Sequence, residues 1–410
     1  MVQKIALILV VCGFVLSFDI AKAQQLQALA QVDAARSEIT GRPSGDVDIR
    51  LHLSVGVPYR AFTLDQPPRL VLDFQQVDFS GVTPDDLLKT ELIRTARFGI
   101  YRPGWSRLVL QLFRPMSVHA AEQEINNDTG AAVIKMRLSP QDPVIFAANV
   151  GAPASDLWAL PPDVAVSNPK RRQTGDRKII VAIDPGHGGI DPGAQYGGNN
   201  EADLMLLLAR ELKEVLLLSG RYDVFLTREE DYFLSLEARV SAARATGADV
   251  FMSLHADALA RGKASGTTVY TLSDVASDDA ADFLAASHER SDLLAGVDLA
   301  AQDDVVASVL MDLARLETAP RGEKLAAELV RGIAKSVGRI RSRPHLQAAF
   351  SVLKAPDIPS VLIEFGFMSN PLDLSNLSSA NWRKKAINGI LAALDVWAIQ
   401  DAAEARLLRQ

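Results

Sequence analysis

Asp184-Pro185-Gly186-His187-Gly188-Gly189 sets a histidine among glycines just past a β-branched run. Glycine neighbours leave the imidazole accessible and let the backbone approach a ligand closely. Ser253-Leu254-His255-Ala256-Asp257 carries a second histidine at the end of another apolar run. Glu201 opens a helical pattern between them, and Val361-Leu362-Ile363 delivers Glu364 just before Phe365-Gly366-Phe367. Two histidines and one carboxylate can hold a catalytic zinc ion (Zn2+) while leaving a fourth position for water. Such an ion lowers the pKa of water towards ~7 and polarises a carbonyl. A further carboxylate that is not a ligand can carry the proton of that water to a leaving nitrogen. Glu201 and Glu364 are the candidates, one for each role, and residue types alone do not say which takes which. Glu201 also has a structural reading, as an acid at a helix start. Glu364 ends an apolar strand with no basic neighbour and lacks that explanation.

Positioning these groups requires strands that end together. From position 178 the pattern alternates. Lys178–Asp184, Tyr222–Thr227, Val250–His255 and Ser360–Glu364 read as strands. Glu201–Leu218, Ser235–Thr246 and Asn381–Ile399 read as helices. This predicts an α/β fold over 178–400, with a mainly parallel sheet covered by helices on both faces. Ligands of such sheets bind at the carboxyl ends of the strands, where both histidines and Glu364 fall. Upstream, Val47, Ile49, Leu51 and Leu53 alternate with polar residues, and the same period of two recurs around Leu70, Leu108 and Ile134. These short strands, separated by Pro/Gly turns, predict a small antiparallel all-β sandwich over 45–140. The proline-rich 141–177, with Lys170-Arg171-Arg172 near its end, reads as a solvated linker.

The 410-residue chain has a formal net charge of −7, so it has no basic excess with which to bind nucleic acid by bulk electrostatics. Lys4, an apolar run from Ile5 to Leu16 and Ala21-Lys22-Ala23 have the layout of a secretory signal peptide over 1–23, cleaved after about Ala23. No later stretch is long and apolar enough to span a membrane. The single cysteine, Cys12, lies inside this segment, so the exported chain would have no thiol.

Asp184–Gly189, Glu201, Ser253–Asp257 and Leu362–Asn370 together resemble the zinc-dependent N-acetylmuramoyl-L-alanine amidases of bacterial cell division. The β-rich region is similar to the AMIN domain that accompanies periplasmic members of this family. The resemblance implies that His187, Glu201 and His255 are the zinc ligands and that Glu364 is catalytic. It also implies cleavage of the amide between N-acetylmuramic acid and L-alanine in periplasmic peptidoglycan, with daughter-cell separation as the task and wall binding by the sandwich. Ala202 departs from the family, where a lysine often follows the ligand glutamate. Residues 273–320 interrupt the β/α rhythm with eleven acidic side chains against only Arg290 and Arg315. Ala276-Ser277-Asp278 and Leu293–Val297 resemble the regulatory helical insertion of the division amidases. In that insertion a glutamate occupies the open zinc position until a degenerate LytM-domain activator binds. Glu289 is the residue expected here in that autoinhibitory role. Two other functions fit the residues: a zinc carboxypeptidase acting on stem peptides, and a wall-binding scaffold without catalysis.

Overall fold

The computed structural model describes residues 30–152, 172–258, 265–294, 305–338 and 340–407, apart from 76, 103, 127 and 128. The signal segment 1–23, the linker residues 153–171 and residues 295–304 of the insertion lie outside the described residues. No described helix is long and apolar enough to cross a membrane.

The N-terminal strands are β1 (Glu38–Gly41), β2 (Val47–Leu53), β3 (Tyr59–Leu64), β4 (Arg69–Gln75) and β5 (Leu88–Lys89), then β6 (Ile93–Arg102), β7 (Trp105–Leu112), β8 (Met116–Ile125) and β9 (Ala132–Pro140). They form two sheets, in the orders β8-β9-β2-β1-β5 and β3-β4-β7-β6. Pairing is antiparallel except between β1 and β5. Alternate residues of facing strands supply the core: Val47, Ile49 and Leu51 from one sheet, Leu70, Leu72, Leu108 and Leu110 from the other. The sheet begins upstream of position 45, because β1 buries only Ile39 and so leaves no periodic trace.

The second unit is a six-stranded sheet of β10 (Ile179–Pro185), β11 (Tyr222–Leu226), β12 (Val250–His255), β13 (Thr268–Leu272), β14 (His345–Ala348) and β15 (Ser360–Glu364). The order is β11-β10-β12-β15-β13-β14. Strands β11, β10, β12 and β15 run parallel, and only the β13–β15 contact is antiparallel. The helices are α1 (Glu201–Leu218), α2 (Leu236–Ala245), α3 (Asp279–Leu294), α4 (Val305–Val337), α5 (Pro371–Ser378) and α6 (Ala380–Leu407). On one face Val181, Ile183, Met252 and Ile363 pack with Leu208, Leu329 and Leu394 of α1, α4 and α6. On the other, Ala182, Phe251 and Leu362 pack with Ala243, Leu284 and Phe350. Burial on both faces explains why these strands read as continuous apolar runs.

Two expectations are corrected. Arg172, the last of the basic run, is no solvated tether: its Nη2 lies 2.7 Å from Asp401 Oδ1, and Arg321 Nε reaches the same oxygen at 2.7 Å. The insertion has no boundary at 320 either, since α4 continues through Pro320 to Val337 as a wall of the core.

Helices α4 and α6 meet at Gly332 and Gly389, where a Cβ on Gly389 would lie 2.7 Å from the Gly332 carbonyl oxygen. Gly389→Ala is therefore expected to overpack the core at a cost of about 1–3 kcal/mol. Calorimetry should show the transition of this unit lowered by roughly 2–10 °C. An unchanged transition would mean that the helices do not approach this closely.

Candidate metal centre

Asp184 ends β10 fully buried, which is tolerable only with partners. It accepts hydrogen bonds from Thr227 Oγ1 at 2.6 Å, Ser253 Oγ at 2.7 Å and Arg239 Nη1 at 2.8 Å. Arg239 also donates to the carbonyls of Pro185 and His187. Arg228 holds those of Pro185, Gly186 and Ala202. These two buried guanidiniums fix the loop after β10 from beneath, and His187 sits in it at φ +59, a region L-residues seldom adopt. Glycine is required at the closest approaches: a Cβ on Gly186 would meet the His255 ring at 2.3 Å, and one on Gly193 the His187 ring at 2.7 Å.

The structure brings His187, Glu201, His255 and Glu364 together. His187 Nδ1 is 2.6 Å from Asp191 Oδ2, and its Nε2 points at Glu201 Oε2 at 3.2 Å. Glu201 opens α1 with no solvent exposure. Its two oxygens accept the amides of Ala256 at 2.8 Å and Ala194 at 3.0 Å, and Oε1 lies 3.1 Å from His255 Nδ1. Glu364 is the register partner of His255 across β15 and β12. Its Oε2 accepts the Asp257 amide at 3.1 Å, while Oε1 is buried without a hydrogen-bond partner.

The two buried glutamates differ sharply. Burial disfavours the charge of Glu201, but His187 and His255 outweigh it and hold this carboxyl well below the usual range. For Glu364 burial comes first, the charges of Glu201 and Asp257 add to it, and the carboxyl is pushed well above that range. Burial and then the neighbouring His288 push His255 down to about 4. For His187 burial is outweighed by Glu201 and Asp191, and its pKa is raised.

Glu289 is not brought to this site. It is exposed on α3, where its Oε1 accepts a hydrogen bond from Ser351 Oγ at 2.5 Å. The residue before it, His288, enters instead. Ala281, Leu284 and Ala285 bury one face of α3, and His288, three to four residues on, shares that face. Position 289 lies a further ~100° around the helix, pointing outward. The His288 ring stacks on His255 with centroids 4.3 Å apart, and the ligand atoms of His187, His255 and His288 lie within 4.8 Å of one another. Neither ring nitrogen of His288 has a hydrogen-bond partner, and neither does Nε2 of His187. Under α3 the cavity shrinks to about 20 Å³, bounded by these histidines, Asp184, Asp191, Phe233, Leu236 and Arg239. That is space for about one water. Reading the sequence for carboxylates missed both His288 and Asp191. The signals were the Ala281, Leu284, Ala285 spacing and an acid four residues after His187.

The donor set fits a metal ion. Buried imidazole nitrogens without partners converge beside a carboxylate held ionised, and mixed nitrogen and oxygen donors suit zinc.

The family described as N-acetylmuramoyl-L-alanine amidase matches residues 181–396, and the AMIN domain matches 38–133. The N-acetylmuramoyl-L-alanine amidase AmiC of Neisseria meningitidis is 33% identical over 84% of this chain and 85% of its own length. AmiC of Escherichia coli is 31% identical over 93% of each chain. The solved structure of amidase AmiC2 of Nostoc punctiforme is 25% identical, with a TM-score of 0.39 over 57% of this chain and 98% of that one. The chain thus belongs to the N-acetylmuramoyl-L-alanine amidases, enzymes that act on peptidoglycan, and carries an AMIN domain before its catalytic domain.

Proposed function

We propose that this amidase is a periplasmic zinc enzyme that splits septal peptidoglycan, with His187, Glu201 and His255 holding the metal, Glu364 moving the proton and α3 keeping the site closed. The observation that carries this reading is the meeting of two imidazoles and a buried carboxyl whose pKa is lowered beside a second buried carboxyl whose pKa is raised. When bound, zinc would supply an electrophile for the amide carbonyl and make a water acidic enough to attack. Glu201 keeps both histidine rings oriented through its two oxygens while its own charge is held by two backbone amides. Glu364, with Oε1 unpartnered, accepts the proton of the attacking water and returns it to the L-alanine nitrogen as the C–N bond breaks. A buried carboxyl with a raised pKa suits this task, since it is a stronger base towards the water than an exposed carboxylate and is still acidic enough to protonate the leaving nitrogen.

The closed cavity leaves no room for a glycan strand, so hydrolysis requires α3 to lift. His288 would take the autoinhibitory role expected of Glu289, its imidazole and not a carboxylate facing the ion that His187 and His255 would hold. A partner that binds the open insertion preferentially, a degenerate LytM-domain activator, would shift the population towards the open form. In this reading the signal segment 1–23 exports the chain, and the sandwich concentrates it on the wall.

Glu364→Gln is expected to retain zinc and lose turnover by about 10²–10⁴-fold, because it removes a proton carrier and not a ligand. Metal analysis together with dye release from labelled peptidoglycan checks both halves. Near-full turnover would overturn the mechanism, and a stem peptide trimmed by single terminal residues would make the enzyme a carboxypeptidase.

His288→Ala in the full chain should raise basal hydrolysis without any partner by about tenfold, in line with release of a closed population. Glu289→Ala should raise it far less, since it removes only the contact to Ser351. Equal rates for wild type and His288→Ala would reduce α3 to a structural cover.

A further inference from the structure

Among the described residues the two units of this chain meet at the loop that carries His187 and at Phe233 beside it. Strand β6 is the free edge of its sheet, and its Ile100 carbonyl accepts the amides of Ile190 at 3.3 Å and Phe233 at 3.1 Å. Side chains are absent where the backbones come closest. A Cβ on Gly99 would lie 3.0 Å from the backbone of Gly189 and Ile190, and one on Gly189 would meet the Ile100 oxygen at 1.9 Å. Around this contact, Val71 and Val109 on the outer face of the sandwich join Phe62, Leu64, Ile190 and Phe233 in one buried cluster. Tyr101 stacks on Phe233 with centroids 5.7 Å apart and rings 18° from parallel. Ile190 and Phe233 are 1% and 2% exposed, so the sandwich supplies the cover that the catalytic unit leaves open there.

One charged contact crosses the same interface. Arg97 Nη1 lies 3.3 Å from Asp191 Oδ1, while Oδ2 of the same carboxylate faces His187 Nδ1 at 2.6 Å. The Gly193 amide also donates to Oδ1 at 3.3 Å. We propose that the docked N-terminal domain is part of the metal centre, and that Arg97 is a positioning residue that fixes the Asp191 carboxylate so that it orients His187. Partners of a ligating histidine hold its tautomer and ring plane, and losing one typically costs ~10–100-fold in metal affinity. Arg97 acts one bond further out, so its share is smaller. The proposal rests on the zinc reading above, but its docking half does not.

Charge and position make opposite claims, which makes them separable. Removing a cation near a Zn2+ site favours the metal electrostatically, whereas loosening Asp191 frees the His187 ring. The test uses the full chain loaded with zinc and measures release into a chromophoric chelator. Arg97→Ala is expected to release zinc about three- to tenfold faster, and Arg97→Lys, which keeps the charge but not the fork, to fall in between. Release at the wild-type rate or slower from Arg97→Ala would overturn the positioning role. Docking is read separately, by hydrogen exchange at the amides of Ile190 and Phe233. These should exchange slowly in the wild type and faster in Gly99→Val, where the new side chain wedges the backbones apart. Tyr101→Ser provides a second variant, which adds no bulk between the backbones and removes the ring stack on Phe233 together with the contact to the Arg107 guanidinium. Fast exchange of both amides in the wild type would overturn the docking. A wild type that binds no zinc would defeat the zinc reading and leave the exchange result standing.

Discussion

A single buried carboxylate ties the catalytic unit together. Glu201 has no solvent exposure, and an ionised group in that position is tolerable only when every side of it is met. Two backbone amides and two imidazoles meet it. They come from three places in the chain: His187 just past β10, Ala194 from the loop before α1, and His255 with its neighbour Ala256 from the end of β12. The helix start, two strand ends and one loop are thereby fixed to within a hydrogen-bond length. Removing one side of such a pairing typically costs about 3–5 kcal/mol, because the remaining charges stay buried. The geometry of the centre and the local fold are the same set of bonds.

Glu364 shows how a similar residue takes the opposite state a few ångströms away. Its carboxyl is equally buried, but it meets one amide, and burial with the charges of Glu201 and Asp257 outweighs the opposing charge of His187. Environment alone pushes the pKa of one carboxyl down and that of the other up. The register pairing of His255 with Glu364 places the two functions on neighbouring strands at one level. The twist and spacing of a parallel sheet, about 4.8 Å between strands, therefore set how far apart the two residues stand.

The α/β architecture was legible because strands buried on both faces write continuous apolar runs, and the residues following them stand out as polar breaks. His187, Glu201, His255 and Glu364 could be found for that reason. What escaped has physical causes. His288 lies on a helix whose buried face is built of Ala281, Leu284 and Ala285, a faint stripe, and an acidic surrounding drew attention to Glu289. Arg172 looked like one member of a basic tether, because Asp401 is more than two hundred residues away in sequence. The domain interface was written in Val71 and Val109, apolar residues on the face of β4 and β7 that a solvated sandwich would keep polar. Alternation counts one face at a time, and a second covered face reads simply as a more hydrophobic strand.

The energetics of α3 follow from the same side chains. Among the described residues its attachment rests on Leu284 and two alanines, the His288 stack on His255 and the Glu289–Ser351 hydrogen bond, and full burial of a leucine contributes about 1.5–3 kcal/mol. Against this stands His288, buried with neither ring nitrogen hydrogen-bonded and Asp257 Oδ2 no nearer than 3.6 Å to its Nε2, at a cost of about 1–3 kcal/mol for such a group. The two terms nearly cancel, so the helix is held weakly by packing alone. Whatever meets the His288 ring decides its position, and a cation shared with His187 and His255 would turn the unfavourable term into a favourable one. The cover would then be firm when the centre is loaded, yet rest on a single side chain. A partner has to compete with that one bond and with the small apolar face that α3 adds to the core. A modest preference for the lifted helix is then enough to redistribute the population, because a ligand shifts an equilibrium only by its differential affinity for the two states.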